Sequence, residues 1–357
     1  MKSELEQLPR RLLPWFEENR RDLPWRRDRE PYHIWVSEIM LQQTRVEAVK
    51  GYYARFLQAL PTVEALAQAP EDQLRKLWEG LGYYTRVRNL KKAAQVLVER
   101  YGGRFPQAYD QIRSLPGVGD YTAGALCSIA FEQPAPAVDG NVLRVLARLR
   151  EDREAIDLPA VKKRVRRELE QVYPAGRCGD FTQALMELGA TVCLPNGAPL
   201  CDKCPLEDLC RAKAHSCTAA LPVRLPKRAR RLEEKTVFVL RCTDRFALER
   251  RQDRGLLAGL WQFPNVPERL DAQQALEAVE AFGLRPCDLG RCVERTHIFT
   301  HVQWQMRCYF LSCQSPEGPF IWLTAEEIDR DAALPTAFRM FWEEQRASGL
   351  EQLEFDA

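Results

Sequence analysis

The 357-residue sequence predicts a multidomain protein: an all-α first half and an α+β second half. Three observations predict this. Roughly the first two hundred residues carry helical apolar periodicity broken by short Pro- and Gly-containing turns, without alternating strands. The texture then changes near Ala219, where Leu221-Pro222-Val223-Arg224-Leu225-Pro226-Lys227-Arg228 combines two prolines with a cationic run, as an exposed connector would. Beyond it, β-branched and aromatic runs appear.

In order, the spacing predicts helices over Leu5 to Asn19, Tyr32 to Gln58, Val63 to Ala69, Glu71 to Gly80, Val87 to Tyr101, Tyr121 to Phe131, Asn141 to Leu149, Pro159 to Val172 and Asp180 to Cys193. In the second half, Thr236 to Leu240 and Val302 to Leu311 read as strands and Ala272 to Phe282 as a helix. The expected division is 1–217, a basic linker 218–232, and 233–350. No repeat or low-complexity segment is present, and 45% hydrophobic residues can fill two cores.

No run of eighteen apolar residues occurs, so no membrane association is expected. The charged start Met1-Lys2-Ser3-Glu4-Leu5-Glu6 does not read as a signal peptide, and a cytoplasmic protein with reduced thiols is expected. The net charge of +2 excludes little, but from Asp202 to Arg231 eight Lys or Arg face three acids, which suits either a polyanion partner or a solvated linker.

Four of the twelve cysteines form the ladder Cys193-x7-Cys201-x2-Cys204-x5-Cys210. Two residues between thiols suit a metal centre rather than an ordinary disulfide. Four thiolates without an intervening His fit either an all-cysteine zinc site or a [4Fe-4S] cluster; gaps of seven and five are unlike paired zinc-ribbon spacing and favour iron–sulfur. Upstream, Leu115-Pro116-Gly117-Val118-Gly119-Asp120-Tyr121 sets two glycines between helices, a turn that can present N–H groups to a phosphate or serve only as a connector.

With Val138-Asp139-Gly140-Asn141-Val142, these motifs resemble the endonuclease III superfamily of DNA base-excision glycosylases, and within it the adenine DNA glycosylase branch of the MutY type. Leu23-Pro24-Trp25-Arg26, Trp35 to Thr44, Gly80-Leu81-Gly82-Tyr83-Tyr84 and Met186-Glu187-Leu188-Gly189-Ala190 extend the likeness over nearly the whole chain. The resemblance implies a helix-hairpin-helix near 110–125, an iron–sulfur loop at 193–210 with Cys193, Cys201, Cys204 and Cys210 as ligands, and a Nudix-like second domain. It implies removal of adenine from double-stranded DNA opposite 8-oxoguanine or guanine by a nucleoid-associated monomer. The first gap is one residue longer than the family's usual six, an extension that a Pro-, Asn- and Gly-rich turn absorbs.

Breaking an N-glycosidic bond needs a proton for the leaving base and an anion beside the developing cationic sugar, which two carboxylates can divide between them. Glu38 lies near Ile34 and Leu41, so burial should raise its pKa into the range of an acid. Asp139 stands at a helix start, where N–H groups and the dipole favour its ionised form. By resemblance, Glu38 protonates adenine N7, Asp139 stabilises the sugar and Asn141 supports the site. Tyr121 replaces the lysine of the bifunctional lyases; a phenol forms no Schiff base, so monofunctional hydrolysis leaving an abasic site follows.

The resemblance further implies that Arg26 and Glu187 contact the extruded adenine, that Gln43 and Tyr83 enter the vacated duplex, and that Gly117 and Gly119 meet its backbone. Phe299, Thr300 and His301 would read 8-oxoguanine, with Thr300 where serine is usual. Gly255-Leu256-Leu257-Ala258-Gly259-Leu260-Trp261 resembles the Nudix segment, but only Glu268, Glu277 and Glu280 follow, without the acidic box that binds divalent metal. A nucleotide hydrolase is thereby disfavoured; a glycosylase of other base preference and a non-catalytic lesion binder remain the rivals.

Overall fold

The computed structural model describes residues 4–226 and 229–355. Met1 to Ser3 of the charged start, and Lys227 and Arg228 of the connector, lie outside the described residues. Contacts divide the chain into two compact units, 1–69 with 88–226, and 70–87 with 227–357. Residues 70–87, expected within the helical half, thus group with the C-terminal residues. Among the described residues no helix is long and apolar enough to cross a membrane.

The helices are α1 (Glu4–Asn19), α2 (Pro31–Leu41), α3 (Val46–Ala59), α4 (Val63–Gln68), α5 (Glu71–Leu77), α6 (Thr85–Tyr101), α7 (Tyr109–Arg113), α8 (Asp120–Ala125), α9 (Gly140–Arg150), α10 (Pro159–Glu170), α11 (Cys178–Thr191) and α12 (Arg211–Ala214). The single helix expected over Tyr32 to Gln58 is two, because Gln43 adopts a left-handed backbone with φ of 60° and the chain turns at Gln42–Arg45. The helix expected from Tyr121 to Phe131 is α8 continued as a π-helix, Leu126–Ala130. The first unit's core joins α1, α9 and α11: Leu8, Leu12 and Phe16 meet Leu146, Phe181 and Leu188, all nearly inaccessible. The connector is not free over its first half; Leu221 is buried, and the Ile156 N–H donates to the Val223 carbonyl at 3.1 Å.

The second unit contains a seven-stranded sheet of order β3-β2-β1-β6-β5, with β4 beside β1 and β7 beside β2. Its strands are β1 (Arg231–Cys242), β2 (Arg245–Arg250), β3 (Trp261–Gln262), β4 (Asn265–Val266), β5 (Pro286–Ile298), β6 (Val302–Cys313) and β7 (Ile321–Thr324). Central β1 and β6 run parallel, and β5 returns antiparallel to β6. Alternate residues separate two cores. Val237, Val239, Trp304 and Met306 pack with Phe338 and Trp342 of α15 (Thr336–Phe355), which follows α14 (Ala325–Asp331). Phe238, Leu240, Tyr309 and Leu311 pack with Ala275 and Val279 of α13 (Ala272–Ala281).

Candidate active site

Burial of an otherwise apolar helix sets up the chemistry. Every residue of α2 from Ile34 to Met40 is buried, Glu38 included. Desolvation lifts the Glu38 carboxyl to about 7; the Tyr121 hydroxyl donates to its Oε2 and opposes the shift, while the charge of Asp139 adds to it. Tyr121 lies in the first turn of α8, immediately after the glycine hairpin.

Asp139 is the N-cap of α9: its Oδ1 accepts from the Val142 N–H at 2.8 Å, and its Oδ2 accepts from the Asn141 amide at 2.7 Å. At a helix start an easily ionised carboxyl is expected. Burial instead raises the carboxyl above its ordinary value, against those two hydrogen bonds. The two caps work against that rise and lower the cost of a carboxylate in a dry site.

Glu38, Tyr121, Asp139, Asn141, Arg26 and Glu187 all line one cavity of about 190 Å³, walled also by Trp25, Ile129 and Met186. Glu187 has no free acceptor sites. Its Oε1 receives the Arg21 backbone N–H at 3.1 Å and Nε at 2.7 Å, and its Oε2 receives Arg21 Nη2 and Arg26 Nη2, both at 2.8 Å. Four donors fill four lone-pair sites. Burial would raise this carboxyl, but the arginine hydrogen bonds outweigh it and bring it to about 2. Glu187 thus holds Arg26 in place, and both residues line the cavity.

Sequence reasoning missed Arg21, which no local pattern links to Glu187. It also missed Arg144 and Arg148, whose signal was present as two cations four residues apart in the apolar run Val142 to Leu149. Both are buried. Arg144 donates to Asn141 Oδ1 at 2.9 Å, to the Gly189 carbonyl at 2.7 Å and to the Cys193 carbonyl at 2.8 Å. Gly189 lets α11 approach this corner closely: a Cβ there would stand 2.5 Å from the Asn141 Cβ.

The four ladder thiols line one small cavity of their own. Arg148 Nη1 lies 3.3 Å from Cys193 Sγ, and burial pushes the Cys204 thiol up to about 12, so a cationic centre is needed to sustain its thiolate. Among the described residues no His, Cys, Asp or Glu group is arranged to hold a single metal ion. Four cysteine thiols gathered on one cavity are the donor type that a [4Fe-4S] cluster takes.

In the hairpin, Gly117 has φ of 76° and faces Asn89, whereas nothing within 4 Å meets a Cβ at Gly119, leaving that backbone open to a ligand. Gln43 is exposed. In the second unit, residues 299–301 form the turn between β5 and β6. Phe299 packs edge-on to His297 and Trp304, with ring centroids 4.5 and 4.8 Å apart, so it is half-covered rather than projecting. Thr300 and His301 are exposed, and the Thr300 hydroxyl is 3.0 Å from the hydroxyl of exposed Tyr83.

A family model described as HhH-GPD superfamily base excision DNA repair protein matches residues 36–175, and a NUDIX domain model matches 236–344. The chain is 36% identical to the adenine DNA glycosylase of Rattus norvegicus over 95% of this chain and 78% of the relative. It is 36% identical to that of Homo sapiens over 92% and 72%. Similar solved structures include a thermostable thymine-DNA glycosylase, TM-score 0.54 at 33% identity over 59% of this chain and 97% of that one. A trapped endonuclease III–DNA covalent intermediate matches with TM-score 0.51 at 26% identity over 60% and 99%.

Proposed function

The chain belongs to the adenine DNA glycosylases of the HhH-GPD base-excision repair superfamily, and we propose that it removes adenine paired with 8-oxoguanine or guanine by monofunctional hydrolysis. The observation that carries the reading is the pairing of Glu38, lifted to about 7, with capped Asp139 on one base-sized cavity. Adenine flips into the cavity. Arg26, held by Glu187, meets its edge.

Glu38 gives its proton to adenine N7 as the C1′–N9 bond breaks and the bonding pair leaves with the base. Asp139 faces the cationic sugar. Water adds to C1′, aided by the Glu38 carboxylate, which recovers a proton and leaves an abasic site. Tyr121 steadies Glu38 and offers no amine for a Schiff base. The turn 299–301 reads the opposite base.

Cys193, Cys201, Cys204 and Cys210 would hold a [4Fe-4S] cluster that braces a DNA-facing loop, as nothing in this hydrolysis requires an electron. Absorbance near roughly 400 nm, with about four iron atoms per chain lost together on Cys201→Ser, is the expected signature.

One assay tests the activity. A duplex with adenine opposite 8-oxoguanine is incubated with the protein and treated with alkali. Strand breaks are expected for the wild type, and a loss of roughly 100-fold or more for Glu38→Gln. No alkali-labile product, or undiminished product with Glu38→Gln, would sink the reading; a borohydride-trapped adduct would refute the monofunctional step.

A further inference from the structure

Residues 70–87 are tied to the C-terminal part of their unit through α5 and the turn after it. Glu79 is the centre of the tie. Its Oε1 accepts from the Leu334 N–H at 2.9 Å and from Arg339 Nη2, and its Oε2 lies 2.8 Å from Lys76 Nζ. Lys76 also donates to the Ala332 carbonyl at 3.3 Å. Glu79 and Arg339 keep only 13% and 23% of their side-chain surfaces exposed, so the pair is shielded from the solvent screening that weakens surface ion pairs. A second tie stands nearby, where Arg250 Nη2 meets Asp72 Oδ2 at 2.6 Å.

Tyr83 follows Glu79 by four residues, at most roughly 14 Å of extended chain. Gly80 and Gly82, with φ of 95° and 68°, compress that span into a turn, and Tyr83 itself has φ of 48°. The Trp78 indole N–H donates to the Gly82 carbonyl at 3.0 Å, and Arg86 lies 5.6 Å from the Tyr83 ring centroid. A chain so short and so bonded passes the position of Glu79 on to Tyr83. The Tyr83 hydroxyl then meets Thr300 in the turn that reads the opposite base.

We propose that Glu79 and Arg339 are specificity-determining positioning residues: their ion pair seats the 78–83 turn so that Tyr83 braces Thr300, and so sets the preference for 8-oxoguanine over guanine opposite adenine. The inference rests on the reading of residues 299–301 given above. The anchor touches neither base nor sugar. Its effect belongs on the ratio of rates between the two duplexes.

The test measures single-turnover adenine release opposite 8-oxoguanine and opposite guanine for the full-length wild type, Arg339→Ala, Arg339→Lys, Glu79→Gln, Tyr83→Phe and the double variant Tyr83→Phe/Arg339→Ala. Arg339→Ala is expected to lower the ratio roughly tenfold, within the range of measured coupling between contacting residues. Arg339→Lys should restore most of it. Glu79→Gln, which keeps an acceptor for the Leu334 N–H, should lower it less.

In the Tyr83→Phe background, Arg339→Ala should produce no further fall, because the hydroxyl through which the anchor acts is already gone. A wild-type ratio in both Arg339→Ala and Glu79→Gln overturns the inference and leaves the base-reading turn standing. Equal falls with and without the Tyr83 hydroxyl also overturn it, since they assign Arg339 a role independent of Tyr83. A wild type with no preference between the duplexes overturns the reading of 299–301 itself, and this inference with it.

Discussion

The burial of Glu38 in α2 raises its carboxyl to about 7, which suits the acid role proposed for it and carries a cost in stability. A donor lifted to about 7 is protonated below that pH and lost above it. Adenine release should therefore fall as pH rises through about 7, and a flat pH–rate profile up to pH 9 would exclude Glu38 as the acid. Folding raises this carboxyl from 4.5 to about 7, so it favours the folded state below 4.5 and that contribution is lost as pH rises to about 7. Glu38→Gln should accordingly stabilise the protein at pH 8, on the order of 3 kcal/mol, and much less at pH 5, as read by thermal melts at each pH. Gly189 is a second residue with a sharp expectation, because its missing Cβ makes room for Asn141. Gly189→Ala should slow adenine release roughly 10- to 100-fold by displacing Asn141 and Asp139, with DNA affinity little changed. Equal losses in rate and affinity would point to general misfolding instead. The identities of Glu38, Tyr121 and Asp139 were legible because each sits in a short motif; the raised Asp139 and the saturated Glu187 were not, since both depend on distant neighbours.

At the level of elements, α9 joins the carboxylate cavity to the thiol ladder. Its N-cap is Asp139, its first turn holds Asn141, and Arg144 and Arg148 extend along it to the Cys193 carbonyl and thiol. Its start was legible from Val138-Asp139-Gly140-Asn141, as N-caps are local chemistry. The buried role of its arginines was not, because it requires the 189–194 segment to fold back against it. The hairpin of α7 and α8 carries another expectation. Gly117→Ala would place a Cβ 2.6 Å from that of Asn89 at φ of 76°, costing about 1–3 kcal/mol in stability. It should also weaken binding to damaged and undamaged duplex alike, because backbone N–H contacts to phosphate carry no sequence information. Unchanged affinity for an undamaged duplex, measured by titration, would remove the hairpin from the DNA interface. The break between α2 and α3 escaped periodicity for a related reason: Gln43 is an ordinary helix former whose left-handed backbone, φ of 60°, no residue type beside it signals.

For the molecule as a whole, the relevant division is by contacts and not by sequence order. A chain ending at Pro226 should keep adenine release, since every residue lining the cavity of Glu38 and Asp139 precedes that point. It should lose preference for 8-oxoguanine over guanine, and residues 71–87, deprived of Arg250, Leu334 and Arg339, should become cleavable by protease. A truncated chain with full preference, or with 71–87 still protected in limited proteolysis, would contradict this. The order of helices before strands, the N-cap at Asp139, the thiol ladder and the pair of carboxylates could all be read along the chain, because periodicity, capping and motif spacing are properties of neighbouring residues. The raised Asp139 carboxyl, the arginines that saturate Glu187 and the allegiance of residues 70–87 to the C-terminal unit could not. Desolvation and long-range charge pairing depend on which segments meet, and that is settled only when the cores close.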